Sequence, residues 1–191
     1  MFNEKAQSTD VVSADVQKGK GVTEGIKGGG VFKVECFDKD GNLKWEDKAE
    51  NLVVNVGLQD MNTKYFAGSS YTAAWYLGLI TGPGASTTIA AADTLASHAG
   101  WTENTDYSGN RKAVTFGTAT TADPSVIDNS GSVAVFNITG TATIAGAFLC
   151  NAATGTSGVL FSASDFQSPG DRSVVSGDTL NVTYTFSLDA A

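Results

Sequence analysis

The chain has 191 residues, of which 12 are Lys or Arg and 20 are Asp or Glu, so its formal net charge is -8 at pH 7. No apolar stretch is long enough to span a bilayer, and the acidic balance argues against nucleic acid as the main partner. Two cysteines and one histidine are too few for a disulfide scaffold or a histidine-rich metal site. We therefore expect neither a membrane nor a nucleic-acid partner.

The N-terminal part of the chain is more highly charged than the rest. Residues 1–50 hold 8 basic and 10 acidic side chains, whereas residues 51–191 hold only 4 basic and 10 acidic ones. The segment 1–30 is polar, carries isolated valines and ends in three glycines, so it buries too little apolar area to offset its ordering entropy. It also lacks the apolar core of a signal peptide. We expect an extended or flexible N-terminal arm over 1–30, either a floppy terminus or a docking arm that folds on binding.

The segment after the arm has the composition of a β-hairpin. Residues 31–37 are rich in β-branched and aromatic side chains, which favours a strand. Residues 38–41 end in a glycine and form a turn signal, and residues 42–46 are expected to return as the second strand. A third extended run at 51–55 would complete a hairpin or a short meander.

The spacing of apolar residues then changes from strand-like to helical. Leu58, Met61, Tyr65 and Phe66 lie at i, i+3, i+7 and i+8, which places them in one stripe along a helix. This pattern predicts a helix over residues 58–66.

Two further elements precede the second half of the chain. Residues 73–80 are nearly continuous in apolar side chains, which predicts a strand buried on both faces. Asp93 or Thr94 is expected to cap a short helical turn over residues 95–99.

The remaining apolar runs are short and are separated by Gly, Ser, Asn and Asp. They predict strands at 111–117, 132–138, 141–149, 157–163 and 179–187. The last of these alternates strictly between apolar and polar residues, so it should have one core face and one polar face. Many short strands with few helices indicate a mainly all-β fold. We expect residues 31–191 to form a single antiparallel β-sandwich domain, either jelly-roll or immunoglobulin-like, with one or two short helices.

No catalytic, cofactor-binding or metal-binding residues are predicted, and no cofactor is expected. His98 is the only histidine, and no Gly-x-Ser-x-Gly sequence is present to supply a nucleophile for it, so a structural role is favoured. Cys36 and Cys150 are expected to be small buried apolar residues in a reduced protein, although a disulfide would be open to them if their strands were neighbours. Residues 38–42 resemble the start of a calcium loop, but the glycine and the glutamate of that motif are out of place, so a hairpin turn is favoured.

Aromatic residues offer one alternative binding surface. Trp75, Tyr76 and Trp101 could stack against a sugar, as in carbohydrate-binding β-sandwiches. Trp75 and Tyr76 point to opposite faces if they share a strand, so at least one of them is expected in the core.

Three groups of segments carry a family resemblance. They are 34–45 with 51–58, 75–80 with 92–103, and 176–186. As a set they resemble the small structural proteins of tailed bacteriophages, in particular head decoration (cement) proteins and minor capsid proteins. The resemblance covers about residues 31–191 and contains no catalytic motif, whereas the arm lies outside it.

The resemblance implies a non-enzymatic role in the virion. Proteins of this kind are made in the host bacterial cytoplasm and bind the outside of the expanded capsid, commonly as homotrimers. Their partner is the major capsid protein, whose neighbouring subunits they hold together. Capsid decoration is therefore the expected function.

Two other functions remain open at this point. A tail or head fibre module that recognises a host-surface glycan would have the same fold class and would use the three aromatic residues named above. An enzyme such as a depolymerase is disfavoured because the single histidine and the scattered carboxylates form no recognisable constellation.

Overall fold

A computed structural model of the chain describes residues 25–81, 87–166 and 170–190. Thirteen strands, one α-helix and a 3-10 turn at Ser130–Ser132 are formed in this part of the chain. The strands are β1 (Ile26–Phe37), β2 (Leu43–Glu50), β3 (Leu52–Val53), β4 (Trp75–Thr81), β5 (Thr102–Asn104), β6 (Lys112–Val114), β7 (Ser125–Asp128), β8 (Ala134–Asn137), β9 (Ala142–Ile144), β10 (Gly146–Cys150), β11 (Leu160–Asp165), β12 (Arg172–Val174) and β13 (Thr179–Ala190). The helix α1 spans Asn55–Tyr65.

The first sheet is built on the long antiparallel pair of β1 and β13. These strands pair over 12 residues, from Ile26 opposite Ala190 to Phe37 opposite Thr179. Strand β2 pairs with the outer edge of β1, and β7 and β8 pair with different parts of β13. The first and last described strands of the chain are therefore neighbours at the centre of this sheet.

The second sheet has the order β3-β11-β10-β4-β5, and β6 also pairs with β4. Every pairing in it is antiparallel. Strands β9 and β12 form a separate two-stranded ribbon. The two main sheets enclose one large apolar cluster, in which alternate residues of β1 and β13 meet residues of β4 and β10. The predicted antiparallel β-sandwich is thus confirmed.

The second sheet is covered on both faces. Its outer face carries a second apolar cluster that includes Ile80, Phe148 and Leu160 from the strands. Leu95 and Trp101, from the segment before β5, close over these side chains. Residues 77–80 of β4 are all buried, which confirms the prediction of a strand covered on both faces.

Several predicted element bounds differ from the structure. Strand β1 begins at Ile26 rather than at Val31, because Gly28–Gly30 pair with the end of β13. The three glycines thus belong to the sheet rather than to the predicted arm, of which residues 1–24 lie outside the described residues. The predicted strand 141–149 is two strands, broken at Ala145, whose N–H donates to the C=O of Ile80 while β9 turns away to pair with β12.

The predicted helical turn over residues 95–99 is wrong. Thr94 and Ser97 instead form an isolated antiparallel bridge that closes a tight turn. The Thr94 hydroxyl accepts a hydrogen bond from the Ser97 N–H at 3.0 Å, as the side chain of an N-cap residue does, but no helix follows it. Asp93 instead accepts hydrogen bonds from the Ala90 N–H and the Trp101 indole, both at 3.0 Å.

Two serines of β11 provide a matched test of the packing between the sheets. Ser162 and Ser164 are both buried, but only Ser162 has a partner, the Tyr184 hydroxyl at 3.2 Å. We expect Ser162→Ala to lower the free energy of unfolding by about 1 kcal/mol, and Ser164→Ala to leave it unchanged or raise it by up to about 1 kcal/mol. Urea denaturation measures both, and equal losses for the two variants would contradict the hydrogen-bond assignment.

Candidate functional site

The single histidine is a packing partner in the structure. The His98 ring stacks on Trp101 with 3.7 Å between ring centroids and an interplanar angle of 15°. Its Nδ1 lies 3.0 Å from the Trp101 carbonyl oxygen. Across the described residues, no group of three or more His, Cys, Asp or Glu side chains is placed to hold a metal ion.

The three aromatic residues proposed as a sugar platform do not lie on one surface. Trp101 is only 3% exposed, and its indole N–H is bonded to Asp93. Trp75 packs against the cluster between the sheets, whereas Tyr76 packs against the cluster on the outer face. The expected alternation of Trp75 and Tyr76 is therefore observed, and it separates the members of the platform.

Both cysteines are free and buried, and they lie in different sheets. Burial raises the pKa of Cys36 from 9.0 to about 11, and burial also raises the pKa of Cys150. We expect neither thiol to react with iodoacetamide at pH 8 in the folded protein, and both to react in denaturant. Labelling followed by peptide mass spectrometry tests this protection of the thiols, and rapid modification of either native thiol would contradict it.

The raised pKa of Cys36 also makes stability depend on pH. Because the folded state holds the Cys36 thiol protonated, its contribution to stability is intact below pH 9.0 and is lost as the pH rises towards 11.

The calcium-like segment is a hairpin turn between β1 and β2. Asp38 Oδ1 accepts hydrogen bonds from the backbone N–H groups of Asp40 and Asn42, each at 2.9 Å. Hydrogen bonds from Asn42 are the main cause that lowers the pKa of this carboxyl. Gly41 has a φ of +85°, a backbone conformation that favours glycine. These contacts explain the residues of the segment without a bound ion.

A small cleft of about 150 Å³ lies beside β5 and β6. The Arg111 guanidinium, which lines this cleft, directs all five of its N–H groups at partners. These are the two Glu103 oxygens at 2.7 and 2.6 Å, the carbonyls of Ala152 and Gly155 at 2.9 Å each, and the Cys150 sulfur at 3.7 Å. Tyr107 also lines this cleft, and burial raises the pKa of its hydroxyl. Arg111 therefore ties the loop after β10 to the second sheet and has no donor left for a ligand.

The most prominent unexplained feature is a group of exposed aromatic residues at the end of α1. Tyr65 is 82% exposed and Phe66 is 77% exposed, and their rings meet edge to face at 4.9 Å. Tyr71, in the following loop, is 51% exposed and accepts a hydrogen bond from the Trp75 indole at 2.7 Å. We call Leu58, Tyr65, Phe66 and Tyr71 the aromatic surface.

The packing of α1 explains why this surface is exposed. Gly57 is the one buried residue of the helix, and a Cβ at that position would lie 2.4 Å from the Phe161 carbonyl oxygen of β11. The helix backbone thus approaches β11 along the face of Gly57 and the half-buried Met61. Leu58 and Tyr65 are rotated away from that face, so only part of the apolar stripe packs against the sandwich.

The aromatic surface is large enough to matter for association. With about 150–250 Å² for each aromatic side chain, the three exposed rings present about 300–500 Å². A standard interface buries about 800 Å² on each partner, so these rings would supply roughly half of one side. Exposed aromatic residues of this kind mark protein contact sites, and Tyr is frequent among the residues that dominate binding energy.

The surroundings of the aromatic surface are nearly free of charge. Residues 58–74 contain one acidic and one basic residue, Asp60 and Lys64, in a chain whose net charge is -8. The Lys64 ammonium lies 5.8 Å from the centroid of the Tyr71 ring and donates to the Ser70 carbonyl at 3.4 Å. Within this segment the two opposite charges balance, so it adds no net repulsion of an acidic partner.

The helical spacing predicted a helix over residues 58–66 but did not indicate that Tyr65 and Phe66 are exposed. Apolar residues at helical spacing are the same signal for burial within a domain and for burial against another protein. The uncharged loop 67–74, which separates α1 from β4, was the one feature beside the stripe that could have suggested a surface.

Comparisons of the chain with protein-family models, curated proteins and solved structures find no match. In the part of the chain that the structure describes, none of the helices has the length and apolar character needed to cross a bilayer. The surface of the fold and the resemblance of its segments are therefore the features that bear on function.

Proposed function

We propose that this chain is a structural protein of a tailed-bacteriophage virion, which binds the outer surface of the head and stabilises the capsid lattice. Its partner would be the major capsid protein, and the resemblance of residues 31–191 adds self-association as a homotrimer. In this proposal the chain has no catalytic role, and it reaches the capsid surface after synthesis in the host cytoplasm.

The observation that carries this proposal is the aromatic surface. Tyr65 and Phe66 project from the end of α1 and are not needed to fill the core of the sandwich. A protein that keeps such side chains in water gains from them when they are buried against a partner. A contact with another protein accounts for them better than a small ligand does, because both side chains are more than three-quarters exposed and neither lines the cleft beside β5 and β6.

The rest of the surface suits a broad contact with neighbouring subunits. Residues 51–191 contain only 14 charged side chains, and Ser, Thr, Ala and Gly are abundant there. Such a surface can form many hydrogen bonds without the desolvation of buried charges. Binding to the assembled lattice but not to free subunits would stabilise the lattice by mass action.

An add-back experiment tests this function. Phage heads assembled without the protein are mixed with purified full-length chain, sedimented, and then heated while DNA release is recorded. The proposal predicts saturable co-sedimentation and a higher temperature of DNA release. Heads that neither bind the chain nor change their release temperature would overturn it.

Substitutions in the aromatic surface give a sharper form of the same test. We expect Tyr65→Ala and Phe66→Ala each to weaken head binding by at least about tenfold, because exposed aromatic anchors typically contribute 1.4 kcal/mol or more in such interfaces. Leu43→Ala and Val175→Ala are matched controls, since both residues are exposed and apolar but lie elsewhere. Unchanged melting temperatures would show that all four variants fold, and equal binding by all four would contradict the assignment of the surface.

The alternative of a glycan-binding fibre module has lost its main support. It depended on a joint platform of Trp75, Tyr76 and Trp101, and these residues pack into different clusters.

A further inference from the structure

The start of β1 is an open sheet edge. Strand β2 pairs with Val31–Phe37, whereas Ile26–Gly29 extend beyond it and pair only with β13 among the described residues. An open edge presents backbone N–H and C=O groups to any extended chain that can align with it. Strand β2 carries several charged residues, such as Lys44, Glu46 and Lys48, whereas Lys27 is the only charged residue along this part of β1.

Asn51 ends the pairing of β2 and leaves the edge accessible. Its side-chain oxygen accepts the Gly30 N–H at 2.6 Å, and its backbone N–H donates to the Gly30 carbonyl at 2.9 Å. Backbone groups alternate in direction along a strand, so those of Gly28 and Ile26 face the same side as those of Gly30. At this side the next described residue, Leu52, already belongs to β3 of the other sheet.

The side chains of Phe186 and Leu188 form an apolar floor beside this edge. A Cβ at Gly28 would lie 3.3 Å from the Phe186 ring and 3.4 Å from a Leu188 methyl group, so these side chains occupy the space that a larger residue would fill. Ile26 is 76% exposed and lies on the same face of β1 as Gly28. A strand added here would place alternate side chains against Ile26, Phe186 and Leu188.

The chain itself contains a segment that fits such a site. Residues 12–17 alternate between the apolar Val12, Ala14 and Val16 and the polar Ser13, Asp15 and Gln17. The alternation is typical of a strand with one apolar face. Twenty-four residues precede Gly25 and lead directly into this edge, and fully extended they would reach about 80 Å.

We propose that residues 12–17 of one copy add as a strand to the Ile26–Gly29 edge of a second copy. Pairing between copies is favoured over pairing within one chain because residues 18–25 would form an eight-residue connection between the two strands, whereas hairpin loops commonly have about two to five residues. The main-chain hydrogen bonds would give affinity, and the apolar alternation would set the register. The inference goes beyond capsid binding and does not depend on it.

Cysteine pairing in the purified full-length protein tests the exchange. One tagged chain carries Gly29→Cys, and a differently tagged chain carries Ser13→Cys or Asp15→Cys. Apart from the chain neighbours of Gly29, no atom of the described residues lies within 4 Å of a Cβ at this position. The side chain would point to the face opposite Phe186 and Leu188, as would Ser13 and Asp15 in the added strand. Lys27→Cys repeats the test on the same face, and Gly131→Cys is the matched control because its Cβ would also be free of contacts.

The expected result is a disulfide between the two tagged chains, at least ten times more abundant with Gly29→Cys or Lys27→Cys than with Gly131→Cys. Adding Ile26→Lys to the receiving chain should reduce the product several-fold. Equal cross-linking with the control would overturn the proposal. So would cross-links that form only within one chain when both cysteines are placed in it, or the absence of any cross-link. Since no capsid is present, these outcomes are independent of the add-back experiment.

Discussion

Gly146→Ala should unfold the protein or lower its free energy of unfolding by at least about 3 kcal/mol. Gly146 begins β10 opposite Asp165 of β11, and a Cβ at this position would lie 1.9 Å from the Ser164 carbonyl oxygen. The obstructing atom belongs to the backbone of a central strand, so relief requires the two strands to separate. Circular dichroism during thermal and urea unfolding measures the loss.

Gly29→Ala is the matched control for this substitution. Gly29 also lies in a strand and is not among the glycines with positive φ, but no atom lies within 4 Å of its Cβ position. We expect its stability to be unchanged or to rise by about 0.5 kcal/mol, because alanine restricts the unfolded chain. Equal stability of the two variants would contradict the register of β10 and β11.

Arg111→Met should lower the free energy of unfolding by about 3 kcal/mol, the second largest effect that we expect. The Arg111 side chain is 4% exposed and holds Glu103 through two hydrogen bonds. It also lies 5.2 Å from the centroid of the Phe148 ring. Its removal leaves the Ala152 and Gly155 carbonyls without their donors and an unpaired carboxylate at the edge of the second sheet.

Lys33→Met is the control for a charge pair at the surface. Lys33 contacts Glu35 at 2.7 Å and Glu46 at 3.7 Å on the outside of the first sheet. Water screens this group, so we expect no measurable change in the melting temperature. If Arg111→Met were as well tolerated as Lys33→Met, the loop after β10 would not depend on the buried guanidinium.

The strands with strong local patterns could be predicted from the sequence. The alternation of residues 179–187 indicated β13, and the continuous apolar run before Thr81 indicated the buried strand β4. The turn at residues 38–41 indicated the hairpin of β1 and β2 because its glycine supplies a positive φ. In each case the pattern that predicts the element lies within a few neighbouring residues of the sequence.

The short strands could not be predicted because their cause is tertiary. Strands β5, β7 and β12 have three or four residues each and contain Thr, Glu, Asn, Ser, Asp and Arg. They are too short to show an alternation of apolar and polar residues. Each forms because it pairs with a neighbouring strand, β5 with β4, β7 with β13 and β12 with β9. The predicted helical turn at 95–99 failed for a related reason, since Leu95 and Trp101 fold onto the second sheet.

The candidate site was only half visible in the sequence. Tyr65 and Phe66 could be placed on a helix, but their exposure follows from the close approach of Gly57 to Phe161, a contact between distant parts of the chain. The sequence also suggested a sugar platform, which failed because Trp101 is needed to close the outer cluster. Core and interface use the same residue types, so burial had to be known before the surface could be assigned.

The copy number of the chain in purified virions, relative to the major capsid protein, tests the proposed capsid role most directly. Quantitative mass spectrometry with isotope-labelled peptides of both proteins gives this ratio. Capsid decoration predicts a ratio near one, or a simple lattice fraction of it. A ratio of a few per cent would place the chain at a vertex, tail or fibre, and its absence from virions would contradict the proposed function altogether.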